Sequence, residues 1–166
     1  MRFPAQIANS VRDTVTLYVE DGSDTGVGYK VIKDGKMVAY VSMFFYPAPS
    51  LGSVSDGARA KACKEFFKGV EAEVRSHAPS ARLISEQDVP APFPIFHAKG
   101  LRATFAGGRM FDGKMQTVHD EAYLYCYAGG EWLVTYRASW LGTYDASQEV
   151  NALIRAVTWS EKLARP

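Results

Sequence analysis

The chain has 166 residues, of which 47% are hydrophobic and 22% charged, and its 19 basic and 18 acidic side chains give a formal charge of +1. This length and composition predict one globular domain over residues 1–166 and exclude a disordered, collagen-like or coiled-coil chain. The balanced charge, without a basic cluster, argues against a nucleic-acid partner, and no apolar run approaches the roughly 20 residues of a membrane span.

The N-terminal third of the sequence is typical of three strands. Alternation over residues 14–20 predicts a strand with one buried face, and a second strand covers residues 26–33. Asp34-Gly35 predicts a two-residue hairpin, because both central residues of a type I′ turn need positive φ. The return strand, residues 37–46, is apolar at almost every position, which predicts a central strand covered on both faces.

A long helix is predicted next, from about Ser55 until Pro79 stops it. Its apolar positions recur at helical spacing and predict one buried stripe, made of Cys63, Phe66, Phe67, Val70, Val74 and His77.

The second half of the sequence predicts four more strands and a final helix. Residues 82–86, 101–111, 115–127 and 132–140 have strand patterns, and the Pro-rich residues 89–97 are typical of a loop. The strands are joined by glycine turns at Asp112-Gly113 and Gly129-Gly130, and Gly107-Gly108 predicts a bulge. The last helix begins at Asp145, with Gln148 as its capping-box partner. Together these elements predict an α+β fold, with a mainly antiparallel sheet of six or seven strands flanked by helices.

The two cysteines, Cys63 and Cys126, lie in a helical and a strand pattern, without zinc-ligand spacing. Three roles remain open for them: buried thiols, a disulfide that joins helix to sheet, or a catalytic thiol. The N-terminal residues lack the apolar stretch and cleavage site of a signal peptide. We therefore expect a cytoplasmic protein, or a periplasmic or secreted one whose leader has been removed.

The predicted hairpins bring aromatic and charged side chains onto one sheet face. A tight turn at Gly129-Gly130 pairs the neighbouring strands so that Tyr127 faces Trp132, Tyr125 faces Val134, Tyr123 faces Tyr136, Glu121 faces Ala138 and His119 faces Trp140. If the Asp112-Gly113 hairpin has no bulge, Arg102 lies opposite Tyr123, whereas a bulge at Gly107-Gly108 would shift Arg102 to the other face. This face predicts a ligand-binding wall, whose candidate residues are Arg102, His119, Glu121, Tyr123, Tyr136 and Trp140. The alternative is that these rings are core residues under a helix.

The sequence contains none of the local motifs of the common enzyme classes. There is no nucleophile elbow, no phosphate-binding loop and no dinucleotide motif, and His77, His97 and His119 lack metal-ligand spacing. We therefore predict no cofactor and no metal. The leading hypothesis is a non-catalytic binding or accessory protein for a small molecule, an envelope component or a protein partner. The alternative is a hydrolase with a dispersed site that uses His119 or His97 as its base.

Five short segments support a resemblance: Phe3-Pro4, Gly26-Val27-Gly28-Tyr29, the aromatic strand from Tyr40 to Tyr46, Tyr136-Arg137-Ala138-Ser139, and Ala156-Val157-Thr158-Trp159. Their order resembles a group of small, mostly uncharacterised proteobacterial proteins that often carry a leader peptide, which implies export to the periplasm. The order of strands and helices also resembles the PsbP-like α/β/α sandwich. That resemblance implies partner binding without catalysis, and it assigns no functional residue.

Overall fold

A computed structural model of the chain describes residues 3–52, 55–90, 99–128 and 131–157. Its strands are β1 (Gln6–Ile7), β2 (Ser10–Leu17), β3 (Thr25–Lys33), β4 (Lys36–Pro47), β5 (Arg82–Val89), β6 (Gly100–Phe111), β7 (Lys114–Ala128) and β8 (Trp132–Leu141), and its helices are α1 (Asp56–His77) and α2 (Ser147–Ala156). All eight strands form one antiparallel sheet in the order β1-β2-β3-β4-β8-β7-β6-β5. The α+β prediction with an antiparallel sheet is therefore confirmed.

The predicted count of six or seven strands is too low. The missing strand is β1, whose two residues are too few to show alternation in the sequence. The strand predicted at 14–20 is β2, which begins earlier at Ser10 and is exposed along nearly its whole length rather than buried on one face. Because β1 pairs only with Ser10 and Val11, most of β2 lies at an almost open edge of the sheet.

The central position predicted for the third strand is confirmed, because β4 lies between β3 and β8. However, only one face of β4 is fully buried. Val41 and Met43 are fully buried on one face, whereas Ser42 and Phe44 on the other face are only half-buried. The reason is that α1 packs on β6 and β7, and so leaves this part of the second face without a helix.

The two helices lie on opposite faces of the sheet, which we call the α1 face and the α2 face. On the α1 face, the helix begins where the Ser55 Oγ accepts a hydrogen bond from the Ala58 N–H at 3.3 Å. Most of its predicted stripe is buried, but Phe66 is half-buried and His77 is exposed. On the α2 face, the shorter helix buries Val150, Leu153 and Ile154 against the aromatic side chains of the sheet.

Of the three roles predicted for the two cysteines, the structure shows the disulfide that joins helix to sheet. Cys63 of α1 is joined to Cys126 of β7, and their Cα atoms lie 5.9 Å apart. The bond therefore fixes the helix to the sheet, and neither cysteine is a free buried thiol or a catalytic thiol.

Two local predictions in the second half are wrong. The β6–β7 register runs without a break through Gly107 and Gly108, so there is no bulge. Glycine is needed at 107 because a Cβ there would lie 2.7 Å from the Cα of Ala81, which follows α1. The Asp145 capping box is also absent, since the N-cap is Ala146 and the Asp145 Oδ1 accepts from the Ser147 N–H at 2.9 Å.

Both Asp-Gly hairpins have the predicted geometry, with φ of 50° at Asp34 and Asp112 and φ above 70° at the following glycines. The Gly129-Gly130 turn, most of the Pro-rich loop and His97 lie outside the described residues. No helix in the described ranges is long and apolar enough to cross a membrane.

Candidate functional site

The strand pairing brings the predicted wall residues to one face, the α2 face. Tyr123 pairs with Tyr136, Glu121 with Ala138, His119 with Trp140, and Arg102 with Tyr123. For β6 and β7 this register follows from the two-residue Asp112-Gly113 turn, whose length determines which residues are opposite each other.

Tyr127 departs from the predicted register. The pairing shifts between Cys126 and Ala128, so that Ala128, and not Tyr127, pairs with Trp132. Tyr127 has a φ of 56° and its side chain packs on the α1 face. A bulge of this kind inserts one unpaired residue and redirects its side chain, which is why the alternation does not continue.

The six predicted residues divide into a core group and a cleft group. Tyr123 and Tyr136 are buried in the core of the α2 face, as the core-packing alternative predicts. The others line a cavity of about 530 Å³ at the N-terminal end of α2, here called the α2 cleft. These are Arg102, His119, Glu121 and Trp140.

A buried carboxylate organises the α2 cleft. The Glu121 side chain is only 1% exposed, and its Oε1 accepts a hydrogen bond from Arg102 Nη2 and lies 3.3 Å from His119 Nε2. Its Oε2 accepts a hydrogen bond from the Tyr123 hydroxyl. Burial acts to raise the pKa of Glu121, but the hydrogen bonds from His119, Tyr123 and Arg102 together lower it below its ordinary value.

The same contacts hold the two basic groups of the cleft in place. The Arg102 guanidinium lies over the Tyr123 ring, 5.7 Å from its centroid, and the His119 ring packs on Trp140 at 4.4 Å between centroids. Both basic side chains remain about a quarter to a third exposed. Contacts with Glu121, Tyr123 and Trp140 occupy one side of each basic group. The exposed atoms of Arg102 and His119 therefore face the cavity.

The opposite wall is the segment that leads into α2. It contributes Thr143, Tyr144, Asp145 and Ser147 to the cavity. The segment is anchored by Lys33, whose Nζ lies 2.7 Å from the Tyr144 hydroxyl and 2.9 Å from Glu149 Oε1. The hydrogen bonds from Ser147 lower the pKa of Asp145, and electrostatic interactions with His119 and Arg102 add to this.

The α1 face carries a second buried carboxylate, Asp120, to which the sequence analysis gives no role. Asp120 Oδ1 accepts from Arg109 Nη2 at 2.7 Å and from Ser139 Oγ at 2.6 Å. This cluster borders a smaller cavity of about 310 Å³, beside the exposed His77. Asp120 directly precedes Glu121 and the mostly apolar residues 122–128 of the same strand, and a charged residue at that position is the signal that could have identified it.

Neither cluster provides an evident metal site. Among the described residues, no group of three or more His, Cys, Asp or Glu side chains could hold a metal ion. Comparison with protein-family models finds no match, and comparison with curated proteins finds none either.

Proposed function

We propose that the protein is a non-catalytic binding or accessory protein, and that it takes a small anionic molecule in the α2 cleft. The observation that carries the proposal is the pair of basic groups, Arg102 and His119, held side by side by the buried Glu121 with their outer sides toward the cavity.

The chemistry of the cleft favours a carboxylate or a phosphate. Arg102 uses Nη2 for Glu121 and its Nε is buried, but its remaining N–H donors can make a charge-assisted hydrogen bond to either anion. Thr143 and Ser147 add hydroxyls to the cleft, whereas the Asp145 carboxylate already accepts the Ser147 N–H at the N-terminus of α2, so the recognition of an anion depends on Arg102 and His119. The volume of about 530 Å³ lies within the range of small-molecule sites.

The proposal is tested by titration with succinate, inorganic phosphate and the neutral analogue succinamide, followed by NMR of the His119 ring. We expect the anions, but not succinamide, to shift the ring signals. Replacement Arg102→Gln should weaken binding roughly 10-fold, the loss expected for one charge-assisted hydrogen bond. Arg109→Gln is the matched control, because Arg109 makes the equivalent ion pair with Asp120 on the other face. Equal binding by both variants, or no anion binding by the unmodified protein, would overturn the proposal.

A hydrolase is the second candidate, and one observation favours it. His119 lies 3.3 Å from the buried Glu121 in the same cavity as the hydroxyls of Thr143 and Ser147. A carboxylate that orients an imidazole is the usual arrangement for a general base. Hydrolysis of p-nitrophenyl acetate that disappears in His119→Ala would support this candidate, whereas equal background rates in both proteins would remove it. His97→Ala tests the other predicted base.

We also propose that the protein is exported and has a PsbP-like α/β/α sandwich fold. The helix on each face of the antiparallel sheet supports the fold. The Cys63–Cys126 disulfide supports export, since such bonds persist mainly in oxidising compartments. Cell fractionation with alkylation of free thiols tests this: a reduced protein in the cytoplasm would contradict export.

A further inference from the structure

A third cavity, of about 420 Å³, lies where β7 ends and β8 begins, near Tyr127 and Trp132, and we call it the Trp132 pocket. Its lining is mainly apolar and includes Pro47, Pro49, Leu51, Tyr127 and Trp132. It shares no lining residue with the α2 cleft. The pocket is therefore a separate place for a ligand.

Tyr127 lines this pocket in a strained backbone conformation. Its φ of 56° is in the left-handed region, which costs a residue with a large side chain about 1–2 kcal/mol. This conformation moves the ring from the α2 face, where simple alternation would place it, to the α1 face beside Arg59. Strained residues of this kind concentrate at ligand sites, where a side chain must point in a particular direction.

Backbone hydrogen bonds hold the rim of the pocket in place. Pro47 pairs with Trp132 as the last pair between β4 and β8. The next residue, Ala48, donates its N–H to the Glu131 carbonyl at 2.7 Å. These contacts fix the proline segment beside the Trp132 side chain.

Two charged residues line the pocket, the exposed Glu131 and one basic group, Arg59. The Arg59 guanidinium lies over the Tyr127 ring, 5.9 Å from its centroid, and no ion pair holds it within the described ranges. Arg109 and Arg137, which line the cavity of about 310 Å³ on the α1 face, are by contrast each paired with a carboxylate. Arg59 is therefore available for an anionic group on a molecule that occupies the pocket.

From these features we infer that the Trp132 pocket binds a small aromatic carboxylate. The aromatic ring packs among Tyr127, Trp132 and the prolines of the rim, and the carboxylate pairs with Arg59. The inference does not depend on the α2 cleft or on the function proposed for it.

Phenylacetate is the probe that tests this site, with neutral phenylacetamide and cationic phenethylamine as comparison compounds. Binding is followed by NMR at the Trp132 indole N–H, assigned with Trp132→Phe. We expect phenylacetate to bind most tightly of the three, and Arg59→Gln to weaken it roughly 10-fold. The matched control is Arg75→Gln, because Arg75 lies on the same helix and over another ring, that of Phe105.

Two replacements of Tyr127 separate its ring from its hydroxyl. The hydroxyl is buried and has no hydrogen-bond partner among the residues that the structure describes, so Tyr127→Phe should keep the affinity within about 2- to 3-fold. Tyr127→Ala should abolish detectable binding, while thermal unfolding shows whether the variant is folded. Tighter binding of phenethylamine, or unchanged binding of phenylacetate by folded Arg59→Gln, would overturn the inference. Binding by none of the three probes would also overturn it.

Discussion

The α1 face and the α2 face are the two sides of one sheet, but they are held to their helices by different means. On the α1 face a disulfide joins helix and sheet, and an ion pair between Arg137 and Glu73 adds to it. The α2 face has no covalent link among the described residues, and its helix rests on large buried side chains such as Tyr29, Met43 and Tyr136.

The same contrast applies to the two neighbouring carboxylates of β7. Asp120 on the α1 face is held by Arg109 and Ser139. Glu121 on the α2 face is held by Arg102, Tyr123 and a titratable group, His119, in a wider cavity. The comparison indicates that contacts on the α1 face mainly hold the helix to the sheet. At the edge of the α2 face, the contacts instead hold charged side chains beside an open cavity.

The largest expected effect is loss of packing on the α2 face. Tyr136 is fully buried, and truncation of a large aromatic core residue leaves a cavity, so Tyr136→Ala should lower the free energy of unfolding by about 3–5 kcal/mol. Urea denaturation measures this. Tyr18→Ala, at an exposed tyrosine, should change the free energy by less than about 0.5 kcal/mol. Similar effects of the two replacements would show that the α2 face is not a packed core.

Removal of the disulfide tests the α1 face. The bond closes a loop with a sequence separation of 63 residues, so Cys63→Ser combined with Cys126→Ser should cost about 2–4 kcal/mol. A reducing agent should lower the melting temperature of the unmodified protein and leave that of the double variant unchanged. An equal response of both proteins to the reductant would contradict the predicted bond.

The two carboxylates can be compared directly. Asp120→Asn and Glu121→Gln each replace a charge-assisted hydrogen-bond acceptor in a buried cluster, so each should cost about 1.5–3 kcal/mol. Denaturation of both variants at neutral pH gives the values. A negligible cost at either position would mean that its cluster does not hold the face together.

The smallest effect is the contribution of Glu121 to the pH dependence of stability. Its pKa is lower in the folded protein than in the unfolded chain, so the unfolded state takes up a proton first as the pH falls. The resulting stabilisation is complete well above the ordinary carboxyl pKa of 4.5 and is lost as the pH falls below it. The stability difference between the unmodified protein and Glu121→Gln should therefore shrink on acidification. A difference that stays constant down to pH 3 would contradict the lowered pKa.

Local sequence patterns predict the parts of the fold that local geometry determines. The Asp34-Gly35 and Asp112-Gly113 turns need positive φ at both residues, and the second of them sets the register that pairs Arg102 with Tyr123. The Ser55 cap and the helical stripe around Phe67 are determined in the same way, within a few residues of sequence.

The remaining features depend on contacts between distant residues. Gly107 is a close-approach position because Ala81 packs on it, and nothing in the neighbouring sequence indicates this. The bulge at Tyr127 and the partner of Cys63 also depend on how α1 lies on β7. For the candidate site, alternation places the side chains on one face, but only the position of α2 separates the open residues, such as Arg102, from the covered ones, such as Tyr136.

The order of strands has a consequence for how the chain folds during its synthesis. β1 to β4 are neighbours in sequence and in the sheet, as are β5 to β8, and the two sets meet only where β4 pairs with β8. The edge of β4 that pairs with β8 therefore has no hydrogen-bonding partner until the ribosome has produced β8. Until then this strongly apolar strand is open to wrong pairing, which makes the nascent chain the form of the protein most in need of a chaperone.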